Sequence, residues 1–133
     1  MQRRKFLQNK LWRDKAHVML QATGSIIHVK ELDDQEFTQE LRVKLLEETL
    51  EVQAAQTDKD LKEEIADVFE VLDTIMRLHN ISLQEVLDIQ HKKRELRGGL
   101  HNRIFVTIVE HLPGSFGEQY CLKDPVKYPE IFE

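Results

Sequence analysis

Glu48 stands where a helix calls for an apolar residue, and that misfit constrains the chain more than any other feature. Between Lys44 and Asp67 the sequence reads KLLEETLEVQAAQTDKDLKEEIAD. Projected at about 100° per residue, a helix over roughly 35–56 aligns Leu41, Leu45 and Val52 on one stripe, and Glu48 falls inside it. Burying a carboxylate without compensation is costly, so the position demands a partner. Glu51 follows Glu48 by three residues, and Asp67 follows Glu64 by three. Residues three apart lie on nearly one face of a helix. Two such helices side by side would aim Glu48, Glu51, Glu64 and Asp67 at one spot, where they repel unless something positive lies between them. Oxygen ligands alone select Mg²⁺, or Mn²⁺ in its place, over zinc or copper. Di-iron bundles use Glu-x-x-His, and neither pair has a His there, which disfavours iron.

The first of these helices carries a second apolar face at Val43, Leu46, Leu50 and Ala54. A helix apolar on two sides is sandwiched between neighbours. The next helix runs from near Asp58 to about His79, and Asn80 breaks it. Its main core stripe is Leu61, Ile65, Val68, Leu72 and Ile75. Beside that stripe runs a line of Glu64, Asp67, Val71, Thr74 and Leu78, while Glu63, Glu70, Asp73 and Arg77 fall on the opposite, solvated face. Asp33 and Asp34 are N-cap candidates for the first helix. Ser82 and Glu85 form a capping box for a third helix, ending near Leu96. The basic end of that helix (His91, Lys92, Lys93, Arg94, Arg97) suits the negative end of its dipole, and Gly98-Gly99 stops it.

The flanks read less regularly. Residues 1–10 are basic and loosely held, and Leu11 to Gln21 suits a short helix. Ser25 to Leu32 suits a strand or extended segment, and Arg103 to His111 a strand or a further helix. Beyond Pro113-Gly114 the prolines of Asp124-Pro125 and Tyr128-Pro129 predict a mostly irregular tail.

With 133 residues, 41% apolar and 32% charged, and with few Gly (5) and Pro (3), the chain suits one compact, helix-rich domain. The expected fold is an all-α helical bundle over 1–112, with its core at about 33–100, a short N-terminal element and an irregular C-terminal tail over 113–133. The two-sided helix also predicts a homodimer or a dimer of dimers. The net charge of −5 disfavours unaided nucleic-acid binding. Acid concentrated in residues 31–73, with basic flanks, suits a metal and a small polyphosphate. The single cysteine, Cys121, rules out an intrachain disulfide or a cysteine-based metal site and fits the cytoplasm. No long apolar run predicts a membrane span, and the first residues lack the apolar core of a signal peptide.

The run KLLEETLE…EEIADVFEVLDTI resembles the all-α nucleotide pyrophosphohydrolase (MazG-like) superfamily, in which two Glu three apart are followed, after a variable spacer, by Glu and Asp three apart. The short spacer of residues 52–63 implies a tight turn. NKLWRDK (Asn9 to Lys15), ELDDQEF before the first long helix and KKRELRGGL after the third are similar to the phosphoribosyl-ATP pyrophosphohydrolase-like branch, so the resemblance covers roughly 9–105. Leu100 stands where that branch often has Phe.

The resemblance implies that Glu48, Glu51, Glu64 and Asp67 hold Mg²⁺. It also implies that the protein cleaves a nucleoside triphosphate, standard or damaged, to monophosphate and pyrophosphate. It leaves Glu47 and Glu48 as the candidates for activating water. Lys44, Lys10, Arg13, Lys15, Lys93 and Arg97 are candidate phosphate ligands; as isolated residues each reads equally well as a solvated cation, a dipole partner or, for Arg13, half of an ion pair with Asp14. Trp12 reads as a core residue rather than a base-stacking platform. Two rivals stand beside the enzyme: a non-catalytic helical homodimer whose acidic patch meets a basic partner, and a nucleotide sensor without turnover.

Overall fold

The computed structural model describes residues 2–133, and among them all regular structure is helical. There are five helices: α1 (Ala16–Gln21), α2 (Asp34–Ala54), α3 (Asp58–Leu78), α4 (Leu83–Arg97) and α5 (Phe116–Leu122). They fall into two compact units, Met1–Lys93 and Arg94–Glu133. Among the described residues no helix is long and apolar enough to cross a membrane.

The long helices begin and end where local chemistry dictates. Asp33 caps α2 by accepting from the Glu36 amide at 2.8 Å, and Asp34 and Glu36 meet the positive end of the helix. Ala55 turns extended, and two residues later Thr57 caps α3 by accepting from the Asp60 amide at 3.1 Å. Past the end of α3, Asn80 takes φ 55°, the left-handed region that suits Asn, and the Ile81 amide closes onto the Met76 carbonyl at 2.8 Å. Ser82 and Glu85 then cap α4 reciprocally, each amide donating to the other's side chain, at 2.8 and 3.1 Å.

The principal helix pairing is α2 against α3, a hairpin closed by the short link at Ala55–Thr57. Leu41 and Val71 are its buried apolar residues, with Leu45, Val52, Val68 and Ile75 half-buried around them. The buried arc of α3 is shifted from the expected main stripe toward the line beside it. The line Glu64, Asp67, Val71, Thr74, Leu78 turns toward α2, while Leu61, Ile65 and Leu72 of the expected main stripe stay exposed. One neighbouring helix covers an arc narrower than the apolar face of α3, and α2 covers the arc that contains the acids. On α2, Val43, Leu46 and Leu50 are 57%, 62% and 55% exposed, on the side away from α3.

The flanks depart from expectation in two places, residues 11–15 and 103–111. Residues 11–15 are not helical, because Lys10 and Arg13 are tied to acids of α2 and α3 and hold this stretch as a strap. Residues 103–111 form neither strand nor helix, and residues 25–32, expected as a strand or an extended segment, form no strand; a strand needs a paired neighbour for its backbone groups, and no second strand exists among the described residues. The tail is mostly irregular, with one short helix, α5. Ser115 accepts from the Glu118 amide at 3.3 Å, and Glu118 accepts from the Gly114 amide at 3.1 Å, so a local cap outweighs the prolines, which lie beyond the helix end. Within that unit Tyr120 packs between Phe116 and Tyr128, and the His111 ring sits against Gly117 where a Cβ has no room.

Candidate metal centre

The α2–α3 hairpin brings the two acidic pairs together. Glu48 and Glu51 from α2 and Glu64 and Asp67 from α3 each offer an oxygen, and these four atoms lie within 4.8 Å of one another. Glu48 is only 5% exposed, Glu64 and Asp67 are half-buried, and Glu51 is exposed. The Glu48 Oε2 and Glu64 Oε2 atoms are buried without a hydrogen-bond partner. Buried oxygens of this kind are rare in folded proteins because each forfeits its hydration. An all-oxygen set with orphaned buried atoms fits a hard divalent cation, which would satisfy both the lone pairs and the charge.

Cations surround the cluster on one side. Lys44 Nζ lies 3.3 Å from Glu48 Oε1 and 3.3 Å from Glu47 Oε2. Lys10 Nζ reaches Glu47 Oε1 at 3.2 Å. Arg13 donates to Asp67 Oδ1 at 2.8 Å and lies 3.8 Å from Glu70. Lys10, Arg13, Lys44, Glu48 and Asp67 share a pocket of about 350 Å³ with Trp12. On the side of the hairpin tip, Glu51 and Glu64 line a second hollow of about 240 Å³ with Ala54, Ala55, Gln56 and Asp60. The acids are thus open to two directions, one basic and one neutral to acidic.

Of the residues proposed from sequence, the four acids converge, and Glu47, Lys44, Lys10 and Arg13 gather beside them. Arg13 pairs with Asp67 rather than with its neighbour Asp14. Lys15 is exposed at the N-cap of α1, and Lys93 and Arg97 are exposed on α4; the ion pairs to the four acids come from Arg13 and Lys44, and Lys10 pairs with the neighbouring Glu47. Trp12 lines the pocket instead of filling a core, a position that depends on the strap and leaves no periodic signal. Glu70 lies on the solvated face, as expected, and from there supports Arg13.

The electrostatics follow from this crowding. Burial pushes the Glu48 carboxyl above the usual range, and the Glu51 carboxylate adds to the rise, against the opposing pull of Lys44. Glu51 is raised chiefly by Glu64. Glu47 moves the other way: burial would raise it, but Lys10 and Lys44 together outweigh that and hold it low. A raised carboxyl binds its proton more tightly folded than unfolded. Its charge therefore costs the folded state progressively as pH rises from about 4.3, the ordinary Glu value, through the raised folded value, and the cost is complete above that. Metal-free wild type is expected to lose stability over this window relative to Glu48→Gln. Melting curves of the two in EDTA, taken from pH 4 upward, should diverge in favour of the variant; curves that run parallel would show that Glu48 is not strained.

No family model, curated protein or solved structure matches the chain.

Proposed function

We propose that the protein is a MazG-like, Mg²⁺-dependent nucleoside triphosphate pyrophosphohydrolase, releasing monophosphate and pyrophosphate, with non-standard nucleotides among its substrates. The observation that carries this reading is the convergence of four carboxylates within 4.8 Å, two of them with buried, unpartnered oxygens. Glu48, Glu51, Glu64 and Asp67 hold the cation, and Mn²⁺ substitutes for Mg²⁺. Bound there, the metal neutralises phosphate charge and favours in-line attack of water on phosphorus. Lys10, Arg13 and Lys44 line the adjoining pocket and supply donors to phosphate oxygens. Glu47 lies outside the four-acid set and stays ionised between its two lysines, available to accept the proton of water; Glu48 is the more basic carboxylate of the pair. The exposed Val43, Leu46 and Leu50 favour a homodimer that completes the bundle around α2. A cytoplasmic setting suits nucleotide substrates.

The same exposed faces keep a second reading alive, in which the chain is an interaction or nucleotide-sensing module without turnover. A panel of standard and modified nucleoside triphosphates, assayed for pyrophosphate with Mg²⁺ and with EDTA, separates the two. Metal-dependent release is expected, and Glu48→Gln or Asp67→Asn should reduce it by more than about a hundredfold, since even outer-shell metal partners are worth 10–100-fold. Thermal stabilisation by nucleotide without release points to a sensor; neither response on a broad panel points to the interaction protein.

A further inference from the structure

Arg13 is paired with a carboxylate that the proposed metal would also use. Its guanidinium donates to Asp67 Oδ1 at 2.8 Å, and Asp67 is one of the four converging acids. A divalent cation and Arg13 therefore compete for the same carboxylate. The competition is an easy one to reverse. Arg13 sits on the irregular strap between Lys10 and α1, and its side chain is 58% exposed. Exposed ion pairs are weak, so releasing this one is cheap. Lys10 and Lys44 are differently placed: Lys10 meets Glu47, outside the four acids, and Lys44 meets Glu48 at Oε1 and leaves Oε2 unpartnered.

Release would leave the guanidinium in the wall of the 350 Å³ pocket that Asp67, Glu48, Lys10 and Lys44 also line. A planar fork of donors in such a place matches a phosphate group. We infer that Arg13 is a transferable counter-ion: it balances Asp67 when no metal is present, and it turns to phosphate oxygens when a divalent cation takes Asp67. The inference rests on reading the four acids as a metal site. It adds a consequence to that reading: the positive coupling between cation and phosphate, each raising the affinity for the other by the same factor, is larger with Arg13 than without it.

The test uses the full chain and two probes, Mn²⁺ followed by electron paramagnetic resonance and orthophosphate as the anion. In wild type, phosphate should tighten Mn²⁺ binding. Arg13→Gln removes the competitor and the phosphate ligand together. Mn²⁺ alone should then bind about two- to fivefold tighter, the worth of an exposed ion pair, while phosphate affinity falls about tenfold or more and the coupling shrinks to what direct attraction between metal and phosphate supplies. Arg3→Gln makes the same change of net charge at a residue that donates to the Gly24 carbonyl instead, and should leave both constants unchanged. An Arg13→Gln protein with unaltered or weaker Mn²⁺ binding, or an Arg3→Gln protein that behaves identically to it, overturns the inference while the metal site stands. Wild type that binds no Mn²⁺ overturns the metal site itself.

Discussion

Replacing Glu48 with leucine is expected to raise the melting temperature of the metal-free protein while ending pyrophosphate release. Glu48 shares the helical stripe of Leu41, Leu45 and Val52, is 5% exposed, and carries an oxygen without a hydrogen-bond partner. A leucine restores the apolar periodicity and reduces four mutually repelling carboxylates to three. Lys44 keeps Glu47 as a partner at 3.3 Å, so no buried cation is stranded. Exchanging strained buried charges for hydrophobic residues has stabilised proteins by about 1–4 kcal/mol, and each kcal/mol shifts the midpoint by roughly 2–8 °C in domains of comparable length. Differential scanning calorimetry in EDTA and again in excess Mg²⁺ checks the claim. The variant should melt higher in EDTA, and only wild type should gain from the metal. A variant that melts lower in EDTA would falsify the view that Glu48 is held at a cost to stability.

Leu46→Glu is expected to shift the protein to a smaller species in sedimentation without unfolding the chain. Leu46 is 62% exposed on the side of α2 away from α3, between Val43 and Leu50 at helical spacing. A change at so exposed a residue costs the isolated chain little, within about 0.5 kcal/mol. The proposed second copy would bury that face, and a charge at its centre would remove an apolar anchor and desolvate a carboxylate together. Central anchors are worth about 2 kcal/mol or more, a loss of at least roughly thirtyfold in association. Sedimentation velocity at several micromolar concentrations, with circular dichroism as a control for helicity, reads the outcome. Wild type that already sediments as a monomer, or a variant indistinguishable from an oligomeric wild type, removes the dimer from the proposal.

The two experiments act on opposite sides of α2, and the difference between those sides explains what was legible beforehand. The inner side advertises itself by a misfit: a glutamate inside an apolar stripe is visible to periodicity alone. The outer side advertises itself by excess: Val43, Leu46 and Leu50 are more apolar than a solvated face needs. Both signals lie within a few turns of one helix. Trp12 carries no such signal. Its place in the pocket wall depends on a strap held by Lys10 to α2 and by Arg13 to α3, and neither partner is near it in sequence. In the tail, the prolines at 125 and 129 match its mostly irregular path, while the short helix α5 rests on the Ser115–Glu118 cap ahead of them in the chain.

By itself, then, the sequence determined the long helices, their caps and the pairing of acids at helical spacing, because a helix is built from interactions that span only about four residues. It also determined that Glu48 needs a positive partner, since burial of a carboxylate is costly whatever surrounds it. Tertiary structure alone decided that α3 presents its acidic line to α2 and leaves Leu61, Ile65 and Leu72 exposed, because two adjacent apolar lines compete for one neighbour. It also decided which cation meets which acid. Arg13 finds Asp67 across 54 residues of chain, and a choice among several acids at that separation is made by the path of the folded backbone.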